Sequence, residues 1–166
     1  MKLRFYEIAV FGMLGALMYA SKAIMEALPN IHLIGVFIIA ITVVYRKKAL
    51  YPIYIFILLT GLFGGFGMWW IPYLYIWAVL WGAAMLLPKS TKPWVYMLCN
   101  GLHGILFGTL YAPAQAIMFG LSFKATVSWV IAGFPFDALH GLSNFCCGIL
   151  IVPLIKIMSS AQKRLN

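Results

Sequence analysis

The residues with the greatest chemical capacity lie in the last apolar stretch of the chain, where Asp137, His140 and Asn144 follow one another at spacings of three and four. Such spacing places the three side chains on one face of an α-helix. A carboxylate and an imidazole one turn apart are suited to acid/base catalysis, and the same groups facing a bundle interior are suited to ligand binding. Two structural alternatives exist for Asp137: a cap of a helix that restarts at Pro135, or an ion pair with protonated His140.

A second set of polar residues lies in the preceding apolar stretch. Asn100 and His103 share a helical face with Phe107 and Tyr111, and Gln115 lies just beyond them. Amide and ionisable groups at membrane depth are costly, so they face the bundle interior or a cavity. We therefore expect the two polar helical faces to converge. The alternative is that His103 only hydrogen-bonds to a neighbouring helix.

Aromatic residues are concentrated between residues 69 and 81. The candidate binding residues among them are Trp69, Trp70, Tyr73 and Trp77. Tryptophan at a membrane boundary commonly forms an interfacial belt, and the alternative is that these rings close over a ligand. Asn30 and His32, in the loop after the first apolar stretch, complete the candidate site. Concave apolar sites with a few convergent polar groups bind small organic molecules.

Other signatures of enzymes and metal sites are missing from the sequence. It has no Ser or Cys nucleophile motif, no phosphate-binding glycine loop and only three acidic residues. Its cysteines, Cys99, Cys146 and Cys147, have no metal-ligand spacing, so no metal and no cofactor are expected. The catalytic alternative is a small intramembrane enzyme that acts on a lipid or prenyl substrate, with Asp137 and His140 as its acid/base pair.

The amino-acid composition predicts the environment of all these residues. Of the 166 residues, 64% are hydrophobic and 9% are charged, whereas soluble proteins are about one-quarter charged. Six membrane spans of about 20 residues each would occupy about 120 residues and leave only short loops. The sequence therefore predicts an all-α integral membrane protein with one six-helix domain over residues 1–166. It excludes a soluble enzyme, a nucleotide-binding fold and a separate extramembrane domain.

Prolines, glycines and charged residues separate the six predicted helices. The expected ranges are 5–28, 33–45, from 49 into the glycines at 61–67, 72–87, from 94 past Pro113, and 124–158. Pro135 and Pro153 are expected to kink the sixth helix. The second helix is short, which favours a tilted or partly interfacial position.

Lysine and arginine residues mark the ends of the predicted helices. The chain contains 12 of them and has a net charge of +9. Ten lie at the termini or in two interior breaks: Lys2, Arg4, Arg46, Lys47, Lys48, Lys89, Lys92, Lys156, Lys163 and Arg164. This distribution argues against a nucleic-acid surface, and loops rich in Lys and Arg remain in the cytoplasm. We therefore expect both termini, and the loops around Lys47 and Lys89, to be cytoplasmic.

Small residues recur on one face of the first predicted helix. This small-residue stripe consists of Gly12, Ala16, Ala20, Ala23 and Ala27. At about 100° per residue, the five positions fall within an arc of roughly 80°. Small side chains allow a second helix to approach closely. The stripe therefore predicts a helix–helix contact, either within this protein or with a partner.

In length, helix number and first-helix motif, the chain resembles the substrate-binding S components of energy-coupling factor (ECF) vitamin transporters. The AxxxA motif of that family matches the spacing from Ala16 to Ala20 and from Ala23 to Ala27, and residues 135–145 are similar to a sequence of some S components. The resemblance implies a multi-pass protein of the bacterial plasma membrane. It also implies capture of a vitamin or related micronutrient at the extracellular side.

The resemblance further implies specific partners. A transmembrane coupling subunit would dock on the small-residue stripe, and two cytoplasmic ATPase subunits would hydrolyse ATP. A vitamin-like small molecule would bind to the outer loops and later helices, where the candidate residues lie, and the resemblance does not specify which vitamin. A self-contained secondary transporter is a third hypothesis. Buried ionisable groups favour it, and the lack of an internal repeat disfavours it.

Overall fold

Eight α-helices joined by short turns make up the computed structural model, which describes residues 3–28, 30–87 and 92–165. No β-strand occurs in these ranges. The helices are α1 (Phe5–Ile24), α2 (Ile34–Tyr45), α3 (Leu50–Gly64), α4 (Tyr73–Leu86), α5 (Pro93–Ile105), α6 (Phe107–Phe119), α7 (Phe123–Cys147) and α8 (Ile151–Leu165). The fifth predicted helix thus consists of α5 and α6, and the sixth consists of α7 and α8.

Helix α2 occupies the centre of the bundle. All ten of its residues from 34 to 43 are buried, because α4 and α8 pack on either side of it. Its one polar residue in this stretch, Thr42, donates its hydroxyl hydrogen to the Ile38 carbonyl at 2.6 Å. A helix that is apolar on every side is stable only when it is covered on every side. Other helices thus enclose α2, and its tilted or partly interfacial position relative to a membrane stays a prediction.

Helix α1 packs on α3 through one face only. The buried residues of α1 are Glu7, Phe11, Leu14, Gly15 and Met18. Gly15 permits the close approach, because a Cβ atom at this position would lie 2.5 Å from Ile55 Cγ2. The helix ends at Ile24, four residues before the predicted end, so Ala27 lies in the turn that follows it.

Helices α5 and α6 together form an antiparallel pair with α7. The residue pairs in contact are Met97 with Gly148, Asn100 with Asn144, Gly104 with Gly141, and Gly108 with Asp137. As the residue number increases along α5 and α6, the number of the partner residue on α7 decreases by almost the same amount. The register therefore continues across the boundary between α5 and α6.

The helix interruptions do not coincide with the prolines. Helices α6 and α7 continue through Pro113 and Pro135, and Pro153 lies in the first turn of α8. A proline in the first turn removes no intrahelical hydrogen bond, so Pro153 is compatible with an unbroken start of α8. The breaks occur instead at Leu106 and in the 3-10 turn Gly148–Leu150.

Polar contacts join the connection between α2 and α3 to two other helices. The Lys48 ammonium lies 2.8 Å from Glu7 Oε2 on α1, and the Arg46 guanidinium donates to the Met85 carbonyl on α4 at 2.7 Å. Trp81 Nε1 donates to the Arg46 carbonyl at 3.2 Å. These contacts place residues 46–48 at the same end of the bundle as the start of α1 and the end of α4. Lys2 and Lys89 lie outside the described residues.

Four helical stretches within the described residues are long and apolar enough to cross a membrane: Phe5–Ile24, Met68–Leu86, Pro93–Phe119 and Phe123–Arg164. Helices α2 and α3, with 12 and 15 residues, are shorter than these. Large apolar side chains are exposed on the bundle surface, and Phe5, Ile24 and Phe123 are each more than 80% exposed. Such a surface is costly in water and favourable in lipid. The all-helical architecture is that expected of an α-helical membrane protein.

Candidate functional site

Six side chains that carry polar groups meet inside the bundle, and together we call them the histidine cluster. They are His32 from the α1–α2 connection, Trp77 from α4, Asn100 and His103 from α5, and His140 and Asn144 from α7. His32 is partly exposed, and none of the other five exposes more than 6% of its surface. The predicted convergence of the two polar helical faces is therefore what the structure shows.

The rings of the histidine cluster contact one another directly. The ring centroids of His32 and His140 are 4.7 Å apart, and those of Trp77 and His103 are 5.6 Å apart. Asn100 Nδ2 donates to the Asn144 carbonyl at 2.7 Å. His103 Nε2 lies 3.2 Å from the Ile76 carbonyl, which can only accept a hydrogen bond, so Nε2 carries the hydrogen. One ring nitrogen of His103 thus bonds to a neighbouring helix, as the alternative predicted. The other ring nitrogen does not take part in this bond.

Most polar atoms of the histidine cluster have no partner within the protein. The unpaired buried atoms are His32 Nδ1, Trp77 Nε1, Asn100 Oδ1, His103 Nδ1, His140 Nε2, and Asn144 Nδ2 and Oδ1. In the part of the chain that the structure describes, every buried side-chain nitrogen or oxygen without a partner belongs to this cluster. Each such atom costs about 1–3 kcal/mol when it is left unsatisfied. The cluster can therefore offer hydrogen bonds to a group from outside the chain.

The loop that carries His32 is attached to α7 by Ser143. Its hydroxyl donates to the Asn30 carbonyl at 2.7 Å. Asn30 thus contributes its backbone, which adopts a left-handed conformation with φ of 60°. Burial lowers the pKa of His32 from 6.5 to about 4, because apolar surroundings disfavour the charged imidazole. The sequence analysis selected Asn30 but not Ser143. The one feature of the sequence that could have indicated Ser143 is its position one helical turn after His140.

Asp137 has a structural partner of its own. Both carboxylate oxygens accept from the Gly108 backbone N–H, at 3.1 and 3.2 Å, in the first turn of α6. Asp137 is therefore a cap, as one alternative proposed, but it caps α6 rather than a helix restarting at Pro135. Asp137 and His140, both described by the structure, form no ion pair or hydrogen bond with each other. The proposed acid/base pair is not assembled in this structure.

Tyr111, Gln115 and Asp137 lie apart from the histidine cluster, in a groove of about 400 Å³ between α6 and α7. Trp129, which the sequence reasoning did not select, stacks on Tyr111 with ring centroids 6.1 Å apart. Phe107 separates the groove from the cluster: it lines the groove, and its ring centroid is 4.9 Å from that of His140. Most of the predicted binding residues thus fall into two adjoining groups with Phe107 between them.

The neighbouring residues Trp69 and Trp70 face different parts of the molecule. Trp69, Tyr73 and Trp77 form a chain of edge-to-face contacts, with centroid distances of 5.7 and 5.6 Å, that leads into the histidine cluster. Trp70 instead donates its Nε1 hydrogen to the Ile57 carbonyl on α3 at 2.8 Å and packs against Phe66. The structure therefore connects Trp69 with the cluster and directs Trp70 away from it.

The small-residue stripe faces away from the rest of the chain. Ala16, Ala20 and Ala23 are exposed, and a Cβ atom at Gly12 would meet no other atom within 4 Å. Ala27 is also exposed, although it lies beyond the end of α1. The buried face of α1 is a different one, so the stripe does not serve packing within this protein.

Metal coordination was not expected from the sequence. Among residues 3–28, 30–87 and 92–165, no group of three or more His, Cys, Asp or Glu side chains is arranged to hold a metal ion. The contact between the His32 and His140 rings is thus a packing contact and not part of a metal-ligand set.

No known protein family matches this chain, and neither does any curated protein or solved structure with which it was compared. The geometry of the histidine cluster, the groove and the exposed stripe on α1 therefore carries the functional argument.

Proposed function

We propose that the protein is the substrate-binding membrane subunit of an ATP-driven importer of the ECF type. It captures a vitamin or related micronutrient at the extracellular side and delivers it through a coupling module on separate subunits. The observation that carries this proposal is the set of seven unpaired polar atoms buried together in an apolar, all-helical chain.

The energetics of the cluster support a ligand. A buried polar atom without a partner costs about 1–3 kcal/mol, and native proteins leave few such atoms. A ligand that bonds to three of the seven would remove several of these penalties at once. Rings of Trp77 and Phe107, 5.6 Å apart, provide apolar surface beside the same atoms. This combination of apolar walls and a few convergent polar groups is typical of small-molecule sites.

The charge distribution supports an extracellular position for the cluster. Arg46, Lys48 and the start of α1 lie at one end of the bundle, which the positive-inside rule assigns to the cytoplasm. Each of α2 and α4 runs from the region of the cluster toward this end, since His32 precedes α2 and Tyr73 begins α4. We propose six spans with both termini inside: α1, α2, α3, α4, α5 with α6, and α7 with α8. The enclosure of α2 by neighbouring helices compensates for its shortness.

The small-residue stripe supports a membrane partner. In lipid, helices associate where small side chains let their backbones approach, and no helix in the described part of this chain covers the stripe. We propose that the transmembrane coupling subunit packs on Ala16 and Ala20. Two cytoplasmic ATPase subunits then supply the energy, which agrees with the lack of a phosphate-binding loop in this chain.

No specific observation favours the intramembrane enzyme over the importer. Asp137 is hydrogen-bonded to Gly108, and the remaining polar atoms of the cluster offer hydrogen bonds without a carboxylate or a nucleophile. The proposal therefore assigns no catalytic residue to this chain.

The test is assembly with a coupling module. The chain is expressed together with the transmembrane and ATPase subunits encoded in the same genome, and copurification and ATP-dependent uptake are measured. Ala16→Leu and Ala20→Leu place bulk on an exposed face, so we expect them to fold normally and to lose both copurification and uptake. Ala132→Leu, at an exposed position of α7, is the matched control and should behave as the unmodified chain. Normal assembly and uptake by both stripe variants would refute the docking surface.

A further inference from the structure

The unpaired atoms of the histidine cluster define which hydrogen bonds a ligand can make. Trp77 Nε1 and Asn144 Nδ2 are donors. Asn100 Oδ1 and Asn144 Oδ1 are acceptors, and the orientation of the Asn100 amide follows from the bond of its Nδ2 to the Asn144 carbonyl. His103 donates through Nε2, which leaves Nδ1 of the neutral ring as a further acceptor. A ligand must therefore present both acceptors and N–H or O–H donors within a small area.

The six members of the histidine cluster include no acidic residue, lysine or arginine. Of the three acidic residues in the sequence, Glu7 is paired with Lys48, Glu26 is exposed, and Asp137 is bonded to Gly108. Lys22 lies close enough to His32 for its positive charge to contribute to the lowered pKa of that imidazole, but it makes no hydrogen bond to it. Transfer of an unpaired charge into such a site costs several kcal/mol. A carboxylate or an ammonium group on the ligand would have to stay outside the cluster.

The walls of the site favour a flat molecule. The Trp77 ring lies 5.6 Å from the rings of both His103 and Phe107, and Phe107 lies 4.9 Å from His140. At these separations the rings contact one another, and the aromatic surface that they form together interacts best with another conjugated ring. The groove of about 400 Å³ on the other side of Phe107 falls within the size range of small-ligand pockets.

On the premise of the proposed binding function, we infer that the ligand group in the histidine cluster is an uncharged, planar ring with donors and acceptors on neighbouring atoms. Cyclic amides, ureides and neutral nitrogen heterocycles have this chemistry. Asp137 is a carboxylate that could attract a cationic group, but it lines the adjoining groove and therefore does not select the group that the cluster holds.

The experiment uses the purified full chain in detergent and a deproteinised yeast extract. Tandem ion exchange divides the extract into uncharged, cationic and anionic fractions, and the melting temperature of the protein is measured with each. We expect the uncharged fraction to raise the melting temperature and the bound compound, recovered after washing, to absorb ultraviolet light as a conjugated ring does. The inference is overturned if none of the three fractions stabilises the protein, or if a charged fraction alone does so and its bound compound has no uncharged conjugated ring.

A variant separates binding from folding. Asn144→Leu replaces two unpaired buried atoms by an apolar side chain of similar shape, so the melting temperature without ligand should stay equal or rise. At least about tenfold more of the uncharged fraction should be needed for the same stabilisation, since tenfold in affinity corresponds to about 1.4 kcal/mol. Ser128→Ala, at an exposed position of α7, is the control. Unchanged stabilisation of Asn144→Leu would refute the assignment of the site.

These assays test the proposed ligand class and the proposed import function independently. Stabilisation is measured on the isolated chain, whereas uptake requires the coupling module. Binding of an uncharged compound without assembly or uptake would uphold the ligand class and reject the importer. Uptake of a compound that is charged at the recognised group would uphold the importer and reject the ligand class.

Discussion

Replacement of Gly104 by alanine perturbs the closest approach between α5 and α7. A Cβ atom at this position would lie 2.8 Å from Gly141 Cα and 2.9 Å from Asn144 Nδ2. Carbon atoms in favourable contact are about 3.5–4.0 Å apart. The two helices would have to separate, or Asn144 would have to turn, before the methyl group could fit. The substitution thus affects both helix packing and the histidine cluster.

The expected cost follows from a comparison with Gly12→Ala. Both glycines lie inside helices, so each substitution gains about 1 kcal/mol of helix propensity. At Gly12 the methyl group meets no atom within 4 Å, whereas at Gly104 it adds an overpacking penalty of about 1–3 kcal/mol. The difference between the two variants therefore isolates the overpacking penalty.

Thermal unfolding of the two purified variants measures this difference. For a chain of this size, 1 kcal/mol corresponds to about 2–4 °C in melting temperature. We expect Gly104→Ala to melt several degrees below Gly12→Ala and to bind ligand more weakly, because Asn144 is displaced. If Gly104→Ala melts at or above the temperature of Gly12→Ala, the close contact between α5 and α7 is not present in the protein.

Trp70→Ala removes a hydrogen bond to the Ile57 carbonyl and packing against Phe66, so it should lower the melting temperature of the protein. The folded Trp70→Ala protein should bind the uncharged part of the extract normally. His103→Ala should bind it at least about tenfold more weakly, a loss of about 1.4 kcal/mol. Equal losses of affinity in both variants would show that Trp70 closes over the ligand. His32 has a pKa of about 4 in the folded chain against 6.5 in the unfolded chain, so the unfolded state binds the proton more readily and stability falls as the pH is lowered from 6.5 toward 4. Melting temperatures measured across this range should fall less steeply in His32→Gln than in the unmodified chain, and identical slopes would show that His32 is not protected from protonation.

The histidine cluster was largely predictable because its signal is local. Polar residues spaced three and four apart in an apolar helix share one face. Because exposure of polar groups to lipid is costly, that face points into the helix bundle. This argument found Asn100, His103, His140 and Asn144 without any knowledge of the tertiary structure. The outward orientation of the stripe on α1 was not predictable in the same way, since small residues serve internal packing and partner docking equally well.

The role of Asp137 depended on a feature with no local signal. Helix α5 ends at Ile105 and α6 begins at Phe107, although the sequence there has no proline and the nearest glycines, Gly104 and Gly108, serve close packing. The break exposes the N–H of Gly108, and Asp137 accepts from it across the helix pair. A sequence pattern places Asp137 on the face of His140, but only the register between α6 and α7 determines its partner.

The proposed ligand site and the proposed docking surface occupy separate parts of the fold. The histidine cluster belongs to α4, α5, α7 and the α1–α2 connection, whereas the stripe lies on α1, which packs mainly on α3. The link between them is the short segment that follows Ile24 and ends at His32, and Ser143 fastens this segment to α7 through the Asn30 carbonyl. A ligand that bonds to His32 and His140 would tighten the same attachment. If the proposed sites are correct, the position of the C-terminal end of α1 is the structural variable through which an occupied ligand site would differ from an empty one at the proposed docking surface.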